Sequence, residues 1–160
     1  MSELNDKKIW GTYTWYFFHA LSFSIKNEHF DKEKIFLVEC IENICDILPC
    51  PNCRAHALHY LRNYDIRKAT NKELFKNYLF NFHNKVNKNT GKKIFTYNEF
   101  DSLYKRCNLG SICNKFFAIY NTKAQTSYSL LMSINKKQTI KSIKEHLILH
   151  KNKYMWSARG

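Results

Sequence analysis

Glycine and proline are scarce in this chain, four and two among 160 residues. So few turn-formers, set among long stretches whose apolar residues recur at helical spacing, argue against a sheet-rich architecture and predict an all-α fold. Six cysteines are too few for a disulfide-dense scaffold, and no Asn-x-Ser/Thr acceptor marks a glycosylation site. No run reaches the ~20 apolar residues that a membrane span requires, so no span is expected. Lys7 and Lys8 followed by residues 9–23 imitate a signal peptide, but Gly11, Thr12, Thr14 and His19 interrupt the run and no small-residue cleavage pattern follows. The stretch reads instead as a core helix. Acidic residues are also few, 13 against 26 Lys and Arg, for a net charge of +13. The excess is mostly lysine spread along the chain and forms no compact arginine-rich stripe, as a base-composition bias in the coding gene would also produce. No specific nucleic-acid partner is expected, although an acidic client or an anionic cofactor gains from such a field.

The length suits one ordinary domain with a real core. Apolar periodicity predicts a first helix over residues 9–24 and a second that follows Asp31 as N-cap and stops before Pro49. A third helix opens at Cys50-Pro51-Asn52-Cys53 and ends near Tyr64. Thr70-Asn71-Lys72-Glu73 reads as a capping box that opens a fourth helix, closed at Gly91, and Thr96-Tyr97-Asn98-Glu99 as another that opens a short fifth. The expected architecture is a four-helix bundle with a short fifth helix over residues 1–106, followed by a C-terminal extension, residues 107–160, of uncertain structure that packs on the same domain or stands apart. Within it residues 107–120 are ambiguous, 127–133 suggest a short strand, 139–150 look helical and 151–160 are expected to fray.

The central motif is Cys50-Pro51-Asn52-Cys53. It sets two thiols one turn apart at a helix head, where unsatisfied N–H groups and the helix dipole favour a thiolate and bring a cysteine pKa to roughly 3.5–7.5. Pro51 suits the first helical position. Such a pair closes a short, reopenable disulfide, and Cys50 and Cys53 are the candidate catalytic residues. The same spacing is half of a zinc site, completed by His56 and His59 or by Cys107 and Cys113, so a zinc-stabilised helical binding module is the main alternative, with a basic nucleic-acid-binding protein as the second. Cys40 and Cys45, five apart on different helix faces, read as buried inert thiols. Cys107 and Cys113 flank a Gly-containing segment and read as a shuttle disulfide, free thiols or a simple staple.

Two polar-aromatic strips accompany this motif. His83-Asn84-Lys85-Val86-Asn87 sits mid-helix, where histidine and asparagine are mediocre formers, and its i, i+3 and i, i+4 spacing lays one polar strip beside the core face. Trp15 and His19 are also four apart. Taken together, W-x-x-x-H, C-x-x-C at a helix head and H-N-x-x-N followed by Gly91, Lys92 and Phe95 resemble the flavin-linked sulfhydryl oxidases of the Erv/ALR type, over about residues 9–106. The Trp10-Gly11 start and Leu48-Pro49-Cys50-Pro51 resemble particularly the short members of large cytoplasmic DNA viruses.

That resemblance implies FAD as cofactor, with Gly11, Trp15, His19, His83, Asn84, Val86, Asn87, Lys92 and Tyr104 at its site. It implies a thiol oxidase that passes electrons from client proteins or a dithiol carrier, through Cys50 and then Cys53, to the flavin and on to molecular oxygen, giving hydrogen peroxide. It further implies a homodimer through the first two helices and work in the cytoplasm, for a viral member that of the host, or in the virion. Two departures stand out. The family's Gly-Arg is Gly11-Thr12 here, and a disulfide staple of many cellular members falls at Phe80 and Tyr97, where an apolar contact is expected instead.

Overall fold

Phe17, His19, Ala20, Leu21 and Ser22 have no exposed surface and Phe18 almost none, so the C-terminal half of the first helix is enclosed all round by the rest of the chain. It is the axis of a computed structural model that describes residues 3–121 and 130–157. In chain order the described residues form α1 (Glu3–Ser24), α2 (Phe30–Asp46), α3 (Pro51–Asn63), α4 (Lys72–Asn89), α5 (Tyr97–Tyr104), α6 (Leu109–Tyr120) and α7 (Leu130–Leu149). Among them there is no β-strand, only a bridge between Ile25 and Tyr154, and the fold is all-α as composition required. Helix α1 packs against α4, α5 and α6, while α2 packs against α3 and α7. The buried hydroxyls of α1 are satisfied. Thr14 donates to the Trp10 carbonyl and pairs with the Tyr120 hydroxyl at 2.7 Å, and Ser22 donates to the His19 carbonyl.

Several helix boundaries shift for local reasons. The second helix begins at Phe30, running directly out of a 3-10 turn, so Asp31 lies in its first turn and His29 takes the cap position without a side-chain bond. The fourth is capped by Asn71, whose Oδ1 accepts from Leu74 N at 2.9 Å; Thr70 is one residue too early, and Glu73 turns to Lys76 instead. The capping box at Thr96 and Glu99 is present. Phe80 and Tyr97 meet edge to face with ring centroids 5.4 Å apart, the apolar contact expected at the staple position.

The C-terminal region is more ordered than its sequence suggested. Asn108 caps α6 through Ser111 N, and Leu109, Cys113, Phe116, Phe117 and Tyr120 form a buried stripe with Phe116 stacked on Phe17 at 4.2 Å. Leu130–Ser133, expected in a strand, open α7, and residues 127–129 lie outside the described residues. The expected fraying does not extend to Tyr154, which is buried and donates to Glu33 at 2.7 Å, while Met155 N donates to the Ser24 carbonyl and Gly110 N to that of Trp156. Glu33 is the hub of this closure, receiving Lys153, His146 and Tyr154. Burial opposes its ionisation, but these three donors outweigh it and hold the carboxyl at about 2.

Candidate active site

Helix α3 starts where Pro49 and Pro51 bar any continuation of α2. Cys50 takes the N-cap in an extended conformation, Pro51 the first helical position, and the Cys53 N–H donates to Cys50 Sγ at 3.2 Å. A sulfur therefore fills the place that Ser or Asp fills in other caps. An N–H aimed at it from a helix head favours negative charge there.

Cys53 lies on the wall of a cavity of about 410 Å³ between α1, α3, α4 and the α4–α5 loop; Cys50 is not among the lining residues. The volume is that of a cofactor pocket, typically about 300–1,000 Å³. One wall is a stack of flat rings. Trp15 lies parallel to His83 with centroids 4.1 Å apart and meets Phe82 edge on at 5.1 Å, and Tyr60 stacks beneath Phe82 at 4.4 Å. Behind this wall His19 is fully buried and shares a hydrogen bond from Nε2 to His83 Nδ1 at 2.9 Å, while its Nδ1 has no partner. Burial, reinforced by His83, keeps the His19 pKa well below its usual value, and burial with the charge of Lys92 pushes that of His83 down to about 3. Both rings are neutral at pH 7.

The H-N-x-x-N strip divides its work. His83, Val86 and Asn87 face the cavity. Asn84 does not line it: its amide donates to the Phe95 carbonyl at 2.8 Å and accepts the Phe95 N–H at 2.9 Å, clamping the loop that carries Lys92 and Phe95 over the opening. Gly91, at φ 68, turns the chain so that Lys92 N reaches the Asn87 carbonyl at 2.8 Å. Of the nine residues expected at the cofactor, Gly11, Trp15, His83, Val86, Asn87, Lys92 and Tyr104 line the cavity; His19 and Asn84 support it from behind. A Cβ at Gly11 would meet nothing within 4 Å, so glycine there leaves the wall open to a ligand.

Charge at the rim is positive. Lys8, Lys92 and Lys93 line the cavity, and Lys8 stands one turn before Thr12 on the same α1 face. It supplies a cation near the position where the family's arginine is missing. Sequence reasoning overlooked Lys8, and also Cys45, which is buried as expected yet touches the cavity wall. The i, i+4 relation of Lys8 to Thr12 was the available signal. A flat aromatic wall, lysines placed to meet phosphates and a thiol on the wall fit FAD.

Cys107 and Cys113 do not line the cavity. The Gly-containing segment between them is the capped start of α6, with Cys107 half-buried near Ser24 and Cys113 in the core. Burial raises both thiols, Cys113 to about 12 with help from Cys107. Cys40 and Cys45 are free, buried and raised by burial, as inert thiols should be. Among the described residues the one group of three metal-competent side chains is Glu33, His146 and His150, so neither His56 and His59 nor Cys107 and Cys113 complete a zinc site at Cys50 and Cys53.

An all-helical fold that sets a helix-head cysteine on the wall of an aromatic cavity lined by three lysines suits a protein built around a planar, anionic cofactor. The chain belongs to the Erv1 / Alr family, whose family model matches residues 12–105. It is 34% identical over 103 residues to the FAD-linked sulfhydryl oxidase of African swine fever virus, covering 64% of this chain and 86% of that protein. A probable FAD-linked sulfhydryl oxidase of Acanthamoeba polyphaga mimivirus is 29% identical over 92 residues, 56% of this chain and 64% of that one. A putative FAD-linked sulfhydryl oxidase of Invertebrate iridescent virus 6 is 31% identical over 99 residues. No solved structure matches the chain.

Proposed function

We propose that this protein is a FAD-linked thiol oxidase that makes disulfides in client proteins, with Cys50 facing the client and Cys53 facing the flavin. The observation that carries the reading is the split of the pair: Cys53 on the cavity wall, Cys50 outside it. A client thiolate attacks Cys50 Sγ of the Cys50–Cys53 disulfide, forming a mixed disulfide and releasing Cys53 as thiolate. The client's second thiolate then attacks the client sulfur, freeing Cys50 and leaving an oxidised client and a reduced pair. The helix head stabilises the negative sulfur at each stage. Bound FAD supplies the two-electron acceptor that returns the pair to the disulfide and delivers those electrons, with two protons, to oxygen as hydrogen peroxide. Trp15, His83 and Val86 would hold the ring system, with His19 holding His83 in place through their hydrogen bond, and Lys8, Lys92 and Lys93 would attract the phosphates. A dimer through α1 and α2 is part of the proposal, supported by Ile35, 72% exposed on α2. The cytoplasmic setting rests on the resemblance and on the viral source of the relatives.

Oxygen uptake with dithiothreitol tests the activity. The yellow protein consumes oxygen and yields one peroxide per disulfide formed, whereas colourless protein with stoichiometric zinc and no uptake contradicts it.

A further inference from the structure

The end of α7 gathers a second group of chemistry-bearing side chains, none of which lines the cofactor cavity. His146 and His150 are four apart, and His150 N donates to the His146 carbonyl at 2.9 Å. The helical register therefore carries both imidazoles onto one face, with ring centroids 4.3 Å apart. Opposite them α2 presents Glu33, whose carboxylate is 1% exposed. One ligand atom from each of the three lies within 4.8 Å of the others, and among the described residues no other three His, Cys, Asp or Glu side chains converge so closely. Two of the three are held firmly in place. The His146 ring lies flat on Phe36 with centroids 3.6 Å apart. Glu33 Oε1 takes Lys153, while Oε2 faces the Tyr154 hydroxyl and His146 Nε2, the latter at 2.8 Å. Outer partners that fix the orientation of a carboxylate and an imidazole are what a metal site needs around its ligands.

We propose that Glu33, His146 and His150 bind one zinc ion, which clips the end of α7 to α2. Two imidazole nitrogens and a carboxylate oxygen suit zinc, whereas calcium and magnesium take oxygen ligands. Two ligands on a tetrahedral zinc stand roughly 3.3 Å apart, so the half-buried His146 withdraws from Glu33 by about 0.5 Å to admit the ion. Zinc takes the place of the proton between His146 and Glu33, which is released to solvent. Lys153 stays on Oε1, so the lysine and the metal meet different oxygens of the carboxylate. The C-terminal end of α7 adds the negative end of its dipole, and water completes the fourth position. The clip joins two parts of the chain: Glu33 belongs to the residues that the family model matches, and both histidines to the C-terminal region beyond them. Zinc thus fastens that region to the Erv1 / Alr helices.

The test titrates zinc chloride into the full-length, FAD-loaded protein, freed of metal and with the Cys50–Cys53 disulfide closed so that no thiolate of that pair competes. Calorimetry should count one zinc per chain, and zinc at about a hundredfold excess over its Kd should raise Tm by about 5–10 °C. X-ray absorption at the zinc edge should show nitrogen and oxygen at about 2.0 Å and no sulfur at about 2.3 Å. His150→Gln removes one ligand and leaves the contacts of Glu33 with Lys153 and Tyr154 in place. Its zinc affinity should fall at least about tenfold, the least that losing even an outer partner costs, with the metal-free Tm unchanged. His146→Gln, whose amide can still donate to Glu33, should lose zinc in the same way and decides the matter if His150→Gln does not fold. His59→Gln, on α3, should bind as the unsubstituted protein does. The proposal is overturned if no stoichiometric zinc binds, if a folded His146 or His150 variant keeps the full affinity, if sulfur appears at the metal, or if His59→Gln removes the binding.

Discussion

His19 and His83 meet Nε2 to Nδ1 at 2.9 Å, one imidazole fully buried and the other on the cavity wall against Trp15. One ring donates and the other accepts, so the buried ring sets the tautomer and tilt of the ring that faces the cofactor. Replacing His19 with Phe keeps the apolar volume and removes that constraint. A hydrogen bond of this kind contributes about 1 kcal/mol. The His19→Phe protein should therefore fold and hold FAD several-fold more weakly, measured by fluorescence on dilution. Unchanged FAD retention would show that the pair orients nothing.

Asn84 ties both backbone groups of Phe95. In Asn84→Ala the loop above the cavity loses its clamp, at a cost of about 1–3 kcal/mol for groups left unpaired. Amide exchange at Phe95 should accelerate and FAD affinity should fall, while the Cys50 and Cys53 thiols remain accessible to dithiothreitol. Exchange at the rate of the intact protein would remove the clamp from the account.

Stability should depend on pH in two windows. His19 and His83 have pKa values lowered in the fold, His83 to about 3, so the unfolded chain binds more protons than the folded one below about 6.5. Their neutral packing therefore loses stability as pH falls from that point. Glu33, held at about 2 against its usual 4.5, adds a second loss as pH falls from 4.5 towards 2. Glu33→Gln should shrink the second window, where Glu99 is also held at about 2 by Lys93 and Thr96, and cost about 3 kcal/mol at pH 7, because Lys153 loses its buried partner. Urea unfolding at pH 7, 5 and 3 checks both signs.

The burial of Cys107 and Cys113 leaves little thiolate for exchange at neutral pH. Replacing both with Ala should leave oxidation of dithiothreitol and of a dithiol peptide unchanged and lower stability by about 1–2 kcal/mol. Slower oxidation of the peptide alone would make the pair a shuttle after all, and equal slowing of both substrates would give it a structural role at the site.

Much of this was legible in the chain. Trp15, His83, Val86 and Asn87 reach the cavity because helical spacing fixes which side chains share a face, and Pro49-Cys50-Pro51 fixes where one helix stops and the next begins. The same periodicity could not tell a residue on the cavity wall from one a layer behind it, where His19 and Asn84 lie. Helix α6 was obscured by Gly110 and by weak formers around it, although Asn108 is a good cap and the stripe from Leu109 to Tyr120 is regular. The tail was harder still. Tyr154 is held by Glu33, 121 residues away in sequence, and no local pattern reports such a contact.

The division of labour between Cys50 and Cys53 is the centre of the account, and the visible spectrum of the two single variants tests it most directly. Cys50→Ser leaves Cys53 as a lone thiolate at the flavin and should show a long-wavelength charge-transfer band at neutral pH. Cys53→Ser should keep its FAD, since the cavity is built largely by α1, α4 and the α4–α5 loop, and show no such band. Both should lose oxidase turnover. The band in Cys53→Ser and not in Cys50→Ser would reverse the assignment, and sustained turnover in either variant would place the active disulfide elsewhere.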